Sequence, residues 1–204
     1  AWYKGDLTID SNAATSPDGT VNASKVIPDT STSNKLIQIS ANVVSGEIYT
    51  YSFFAKKSGY DVVKTYISGL GINTGSWNLT TGTAPATAET YIEDWGNGWY
   101  KCIAVGTANT TTANCRVYVS VSSGNGTDGV EIYGVQVEEG SYATSYIPTS
   151  GTAVTRIQDV ATVSPPAGTT EITETFKDGS TNVITSIPAT YTVSEGEIQS
   201  VIMT

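Results

Sequence analysis

Histidine is missing from all 204 residues. That single absence removes the Ser-His-Asp triad, the Cys-His dyad and every histidine-based zinc site. Cysteine is nearly missing too, with only Cys102 and Cys115 present. If residues 101–108 and 113–121 form a hairpin turning near Thr110 and Thr111, the two thiols fall out of register. A disulfide would then need a shifted register or strands in different sheets. Two buried free thiols are the other reading, and the redox compartment stays open. Charged residues make up only 14% of the chain, too few for long charged helical faces. Cations are the scarcer sign, 10 Lys and Arg against 19 Asp and Glu, giving a net charge of −9. Such a surface repels polyanions and has few counterions to displace, so nucleic acid is not an expected partner. No apolar run approaches the ~18 residues of a spanning helix, and no signal peptide heads the chain. Membrane insertion is therefore not expected. Beginning at Ala1-Trp2-Tyr3 without Met, the sequence reads as a fragment or a processed product.

What the chain does hold is β-branched, aromatic and turn-forming residues, among them Gly 20 and Tyr 12. That mixture favours an all-β fold. Short strands are expected around Leu7–Ile9 and Lys35–Ile39, joined by a polar segment with a turn at Pro17-Asp18-Gly19-Thr20. Residues 48–57 alternate, with Tyr49, Tyr51, Phe53 and Ala55 on one face, as in a half-buried strand. Residues 61–68 form a further strand, whereas 69–82 read as loop around Trp77-Asn78-Leu79. Residues 90–93 lead into a turn at Asp94-Trp95-Gly96-Asn97-Gly98, followed by strands at 99–105, 115–121 and 130–137. The run 134–159 passes through a Gly140 turn, Tyr142, Tyr146 and Pro148, and reads as the closing edge of a sandwich.

Some eight short strands separated by turns at about 8–12 residues argue for a two-sheet antiparallel β-sandwich. Composition shifts at Ser164-Pro165-Pro166-Ala167-Gly168. Beyond it, 171–176, 181–187 and 197–203 read as three strands, the first two joined by a hairpin turn at Lys177-Asp178-Gly179-Ser180. A three-stranded piece of that size is too small to stand alone. It must pack on the main domain or on copies of itself, and the second option points to oligomerisation. The expected organisation is a sandwich over 1–163 and a small C-terminal β-meander over 164–204.

Four segments occur in order: Ser16-Pro17-Asp18-Gly19-Thr20; Tyr51-Ser52-Phe53-Phe54-Ala55-Lys56-Lys57; Gly96-Asn97-Gly98-Trp99-Tyr100-Lys101; and the 134–159 run. Together they resemble bacteriophage tail-fibre domains, which are similar to the jelly-roll carbohydrate-binding modules attached to glycoside hydrolases. The resemblance covers about residues 5–159. It implies a β-jelly roll that binds a polysaccharide or cell-surface glycan, carries out no catalysis and often holds one structural calcium. A virion tail-fibre or extracellular location follows from it, and self-association of the C-terminal piece in such a fibre implies a homotrimer. The end of the chain, 197–203, looks like the natural C-terminus of such fibres. Two alternatives are a structural or trimerisation module of a fibre and an accessory sugar-binding module of a glycoside hydrolase.

Sugar recognition needs aromatic faces for the apolar C–H side of the ring, with amides and carboxylates beside them for the hydroxyls. The aromatics weighed are Trp77, Trp95, Trp99, Tyr60, Tyr66, Tyr91 and Tyr118. Trp99, following Gly98 at a strand start, is expected in the core. Trp77 is divided between core and ligand. Trp95 lies in a turn between Asp94 and Asn97 and serves either as a ligand contact or as a lid over the sandwich end. The ligand-binding set is Trp95, Trp77, Asp94, Asn97 and Tyr91. Calcium would draw on Asp18, Asp128, Glu138 and Glu139, without any EF-hand spacing. Glycosidase chemistry would need two facing carboxylates, for instance Glu93 and Glu131, yet no motif singles out a pair.

Overall fold

The computed structural model describes residues 2–87, 89–119, 123–149, 152–155, 161–176, 179–194 and 198–204. Several sequence expectations fall outside these residues: the strand end at Val121, the turn residues Lys177 and Asp178, Glu197, and residues 150, 151 and 156–159 of the 134–159 run. The chain divides into two compact units, Ala1–Val154 and Thr155–Thr204.

The first unit contains eleven strands and, among the described residues, no helix. They are β1 (Tyr3–Gly5), β2 (Leu7–Thr15), β3 (Val21–Pro28), β4 (Leu36–Asn42), β5 (Ile48–Ser58) and β6 (Val62–Ser68). They continue with β7 (Ile72–Asn78), β8 (Thr90–Asp94), β9 (Trp99–Thr107), β10 (Thr112–Val119) and β11 (Gly129–Glu139). Five form one antiparallel sheet in the order β1-β4-β10-β6-β7, and six form another in the order β2-β3-β11-β5-β9-β8. This is the all-β, two-sheet sandwich expected from the alternating pattern. One core joins both sheets: Tyr51, Phe53, Cys102 and Val130 project from the six-stranded sheet, and Val63, Ile67, Trp77, Cys115 and Val117 from the five-stranded one.

Three local expectations give way. The supposed hairpin of 101–108 with 113–121 does not form, because both hydrogen-bonding edges of β9 are taken by β5 and β8. The chain instead crosses to the other sheet, where β10 lies between β4 and β6. Cys102 and Cys115 therefore enter the core from opposite sheets and are free thiols. The loop assigned to 69–82 contains β7, an edge strand paired with β6. Finally, the 134–159 run is not a sheet edge: β11 lies inside its sheet, flanked by β3 and β5.

β5 shows why the 134–159 run matters. Its alternation predicts one buried face, yet Thr50, Ser52 and Phe54 on the opposite face are buried as well. Residues after β11 cross that outer face. Thr50 Oγ1 donates to the Gly140 carbonyl (2.8 Å), Lys101 Nζ to the Thr144 carbonyl (2.8 Å), and the Ile147 amide to Gln136 Oε1 (2.9 Å). The six-stranded sheet is thus covered on both faces along its middle, which leaves its two edges, β2 and β8, as exposed margins.

The second unit holds β12 (Thr162–Val163) paired with β15 (Tyr191–Thr192), and a three-stranded sheet of β13 (Ile172–Phe176), β14 (Thr181–Ile184) and β16 (Ile198–Met203). β13 occupies the centre of that sheet. Its Glu174 is fully buried and accepts from the Ser194 amide (2.8 Å) and Asn182 Nδ2 (3.1 Å). Burial opposes the charge, but hydrogen bonds from Ser194, Tyr191 and Asn182 outweigh it and hold the carboxyl below its ordinary value.

Candidate functional site

Period-two alternation assigns the side chains of β8 to two faces. Thr90 and Ile92 lie opposite Ala104 and Cys102 and point into the sandwich. Tyr91 and Glu93 lie opposite Ile103 and Lys101 and point outward. The ladder runs one residue further, because the Trp95 amide donates to the Trp99 carbonyl (2.9 Å). Trp95 therefore joins the outward row, where its ring meets Phe54 edge-on at 5.0 Å and 83°. Its Nε1 donates to Glu93 Oε2 (3.2 Å).

The turn that presents this indole is set by three successive residues with positive φ: Gly96 (76°), Asn97 (52°) and Gly98 (80°). Glycine and asparagine tolerate that conformation and β-branched residues do not. Asp94 Oδ1 accepts from the Gly96 amide (2.8 Å) and closes the turn from its N-terminal side. Behind the indole, the Lys101 ammonium lies 5.9 Å from the Trp95 ring centre and 5.8 Å from that of Phe54. This cation–π sandwich fixes the indole at a rim position while half of it stays open to solvent.

An aromatic patch continues across the same outer face. Ala23, Phe54 and Trp99 are buried together, with Ala14, Tyr133 and Tyr146 packed against them. Trp99 is in a core, as expected, but in this outer one, where its Nε1 donates to the Thr15 carbonyl (3.1 Å). Tyr133 Oη donates to Asp18 Oδ2 (2.7 Å), and Asp18 also accepts from Ser16, Thr20 and Asn22. The hydrogen bond from Tyr133, then those from Thr20 and Ser16, hold the Asp18 carboxyl far below its usual range. Burial, reinforced by Asp18, pushes the Tyr133 phenol up to about 12.

Of the five residues proposed to hold ligand, the structure brings four to this margin. Trp95 is 50% exposed and Tyr91 52% exposed. Asp94 and Asn97 are exposed, with one Asp94 oxygen committed to the turn. Trp77 is a correction: it is 0% exposed, lies edge-on to Phe53 at 6.0 Å, and donates from Nε1 to the Tyr91 carbonyl (3.3 Å). It faces Val63 across the β6–β7 ladder and fills the space between the sheets, so no ligand can reach it. Sequence reasoning missed Glu93 as the partner of the indole. The alternation Tyr91-Ile92-Glu93-Asp94-Trp95 carried that signal, for it sets a carboxylate between two aromatics on one face.

The four carboxylates weighed for calcium do not gather in one place. Asp18 is saturated by protein donors, Asp128 Oδ2 takes Asn125 Nδ2 (2.7 Å), and Glu138 takes the Thr144 amide (2.9 Å). Among the described residues no three His, Cys, Asp or Glu side chains gather into a metal-holding group. Glu93 and Glu131 do not face each other either. Lys101 and Phe54 separate the Glu93 position from Tyr133 on β11, so the two strands stand three spacings apart. That is roughly 14 Å, against the ~5–9.5 Å of a glycosidase pair.

No protein family and no curated protein matches this chain. Among solved structures, one match is the bacteriophage CBA120 tailspike protein 4 enzymatically active domain. It is 12% identical with a TM-score of 0.43, and the match covers 68% of this chain and 19% of that one. Its description names an enzymatically active domain, which stands against the expectation of a protein without catalysis. Carboxylate chemistry needs no histidine, and the exclusion of enzyme activity is withdrawn.

Proposed function

We propose that this chain is a carbohydrate-binding domain of a phage tail fibre, and that it grips a cell-surface glycan at the β8 margin. The observation that carries the reading is the presentation of Trp95. The indole is half open, is backed by Phe54 and Lys101, and is hydrogen-bonded to a carboxylate that is itself exposed. A pyranose ring offers an apolar C–H face to the indole, while its hydroxyls reach Glu93, Asp94 and Asn97. Rigid aromatics with polar neighbours bind with little ordering cost. The tail-fibre context rests on the four sequence segments that resemble such domains. The test is a glycan array probed with the full chain and with Trp95→Ala. Retention of at least one glycan, weakened in the variant, supports the reading. An array on which the wild type retains nothing sinks it.

A further inference from the structure

The outward row of β8 does not stop at Tyr91. The Val105 amide donates to the Glu89 carbonyl (2.9 Å), so the ladder continues one residue before the strand and Glu89 joins the same face. Read from the turn downward, the margin presents Trp95, Glu93, Tyr91 and Glu89: aromatic and carboxylate in strict alternation, all exposed. Strand geometry separates Trp95 from Tyr91 by about 13 Å and spaces each side chain from the next by about 6.6 Å.

Glu89 also lines a cavity of about 510 Å³ at the lower end of the row. Ile48, Ile72 and Val105 give it apolar walls, and Thr87 and Ser141 add hydroxyls. Gly106 lines it too, and a Cβ there would meet the Leu70 carbonyl oxygen at 2.2 Å, so no larger residue can occupy that place. The volume falls within the range of small-molecule sites.

We infer that the margin is an extended track for a linear, neutral oligosaccharide, with one sugar against Trp95, a second against Tyr91 and the chain end in the cavity beside Glu89. This rests on the glycan-binding reading above and goes beyond it in length, direction and charge. Two carboxylates on the track accept hydroxyl hydrogen bonds well and repel a uronate or sulfate. Lys101, opposite Glu93, keeps its charge while donating to the Thr144 carbonyl, so the row sets two carboxylates against one ammonium and stays net acidic. The net charge of −9 acts in the same direction. A neutral, hydroxyl-rich polymer is what this row of groups recognises.

The experiment uses the full chain on a microarray of bacterial surface polysaccharides and their fragments, neutral and uronate-bearing, with short and long members of each series. Affinities of the retained fragments are then measured for the wild type, Trp95→Ala, Tyr91→Ala, Tyr91→Phe and Glu89→Gln, each checked for an unchanged melting curve. The expected result is that neutral fragments bind and that affinity rises with fragment length. Tyr91→Ala should weaken long fragments about tenfold, the scale of one lost ring contact, and leave short ones unchanged. Tyr91→Phe should restore binding, and Glu89→Gln should admit uronate-bearing fragments. If Trp95→Ala abolishes binding but Tyr91→Ala and fragment length change nothing, the track is refuted while the glycan-binding reading survives. Retention of uronate-bearing fragments by the wild type overturns the charge argument. Loss of self-association rather than of sugar binding in Tyr91→Ala would make the margin an interface between copies and also overturn it. An array without hits removes both.

Discussion

Replacing each of two tryptophans by alanine separates the inside of this sandwich from its margin. Trp77 is fully buried between the sheets, touches Phe53 edge-on and ties β7 to β8 through the Tyr91 carbonyl. Removing it empties a large volume that the two sheets cannot close without moving strands, and leaves the Tyr91 carbonyl without this donor. Such truncations cost about 3–5 kcal/mol, which in a unit of this size lowers the melting temperature by roughly 6–20 °C. Trp95 is half exposed and loses its contacts with Phe54 and the Lys101 ammonium, together with a solvent-exposed hydrogen bond to Glu93. Those are worth about 1–2 kcal/mol together. Urea titrations followed by far-ultraviolet circular dichroism measure both on one scale. Trp77→Ala should be the more destabilised, by about 1–4 kcal/mol. Equal losses, or a Trp77→Ala loss no larger than that of an exposed position, would mean that Trp77 does not fill the core and would return it to the ligand site.

The Asp18–Tyr133 pair gives the outer face a pH signature at both ends. The folded-state value of Asp18 is depressed, so its stabilisation is present above its ordinary value of 3.8 and is lost as pH falls below it; Asp18→Asn should flatten the acid limb of a urea-midpoint profile. The folded-state value of Tyr133 is raised, so its contribution holds below pH 10 and disappears as pH rises through about 12. Tyr133→Phe should remove one late phenol from an ultraviolet titration, and an unchanged curve would contradict the contact. The two thiols should be silent to a thiol-labelling reagent in the native state and both react in denaturant. Burial pushes Cys102 up strongly and Cys115 to about 12, so neither supplies thiolate at neutral pH. Native labelling of either would contradict their position.

Much of the sandwich was legible because the sequences of β5, β6 and β10 alternate plainly and β-branched residues crowd the core. The less regular pieces were hidden for physical reasons. β3 and β7 are polar or glycine-rich and take their place from the ladder partners beside them, so periodicity within either strand is weak. The crossing after β9 was invisible because a short connector between two strands reads as a hairpin unless the occupancy of both edges of β9 is known. At the margin, Trp95 and Tyr91 could be found from turn chemistry and residue type. The burial of Trp77 could not, since it depends on Phe53 from the opposite sheet. Phe53 and Phe54 did carry a hint, because adjacent aromatics in a strand point to opposite faces and both of theirs proved to be covered.

The most direct measurement is a calorimetric titration of the array's strongest glycan into the wild type and Trp95→Ala, both at matched folded fraction. A saturable heat in the wild type that shrinks or vanishes in the variant is the result predicted for an indole that stacks on a sugar. Identical isotherms for the two proteins would place the sugar elsewhere and contradict a glycan grip at the β8 margin.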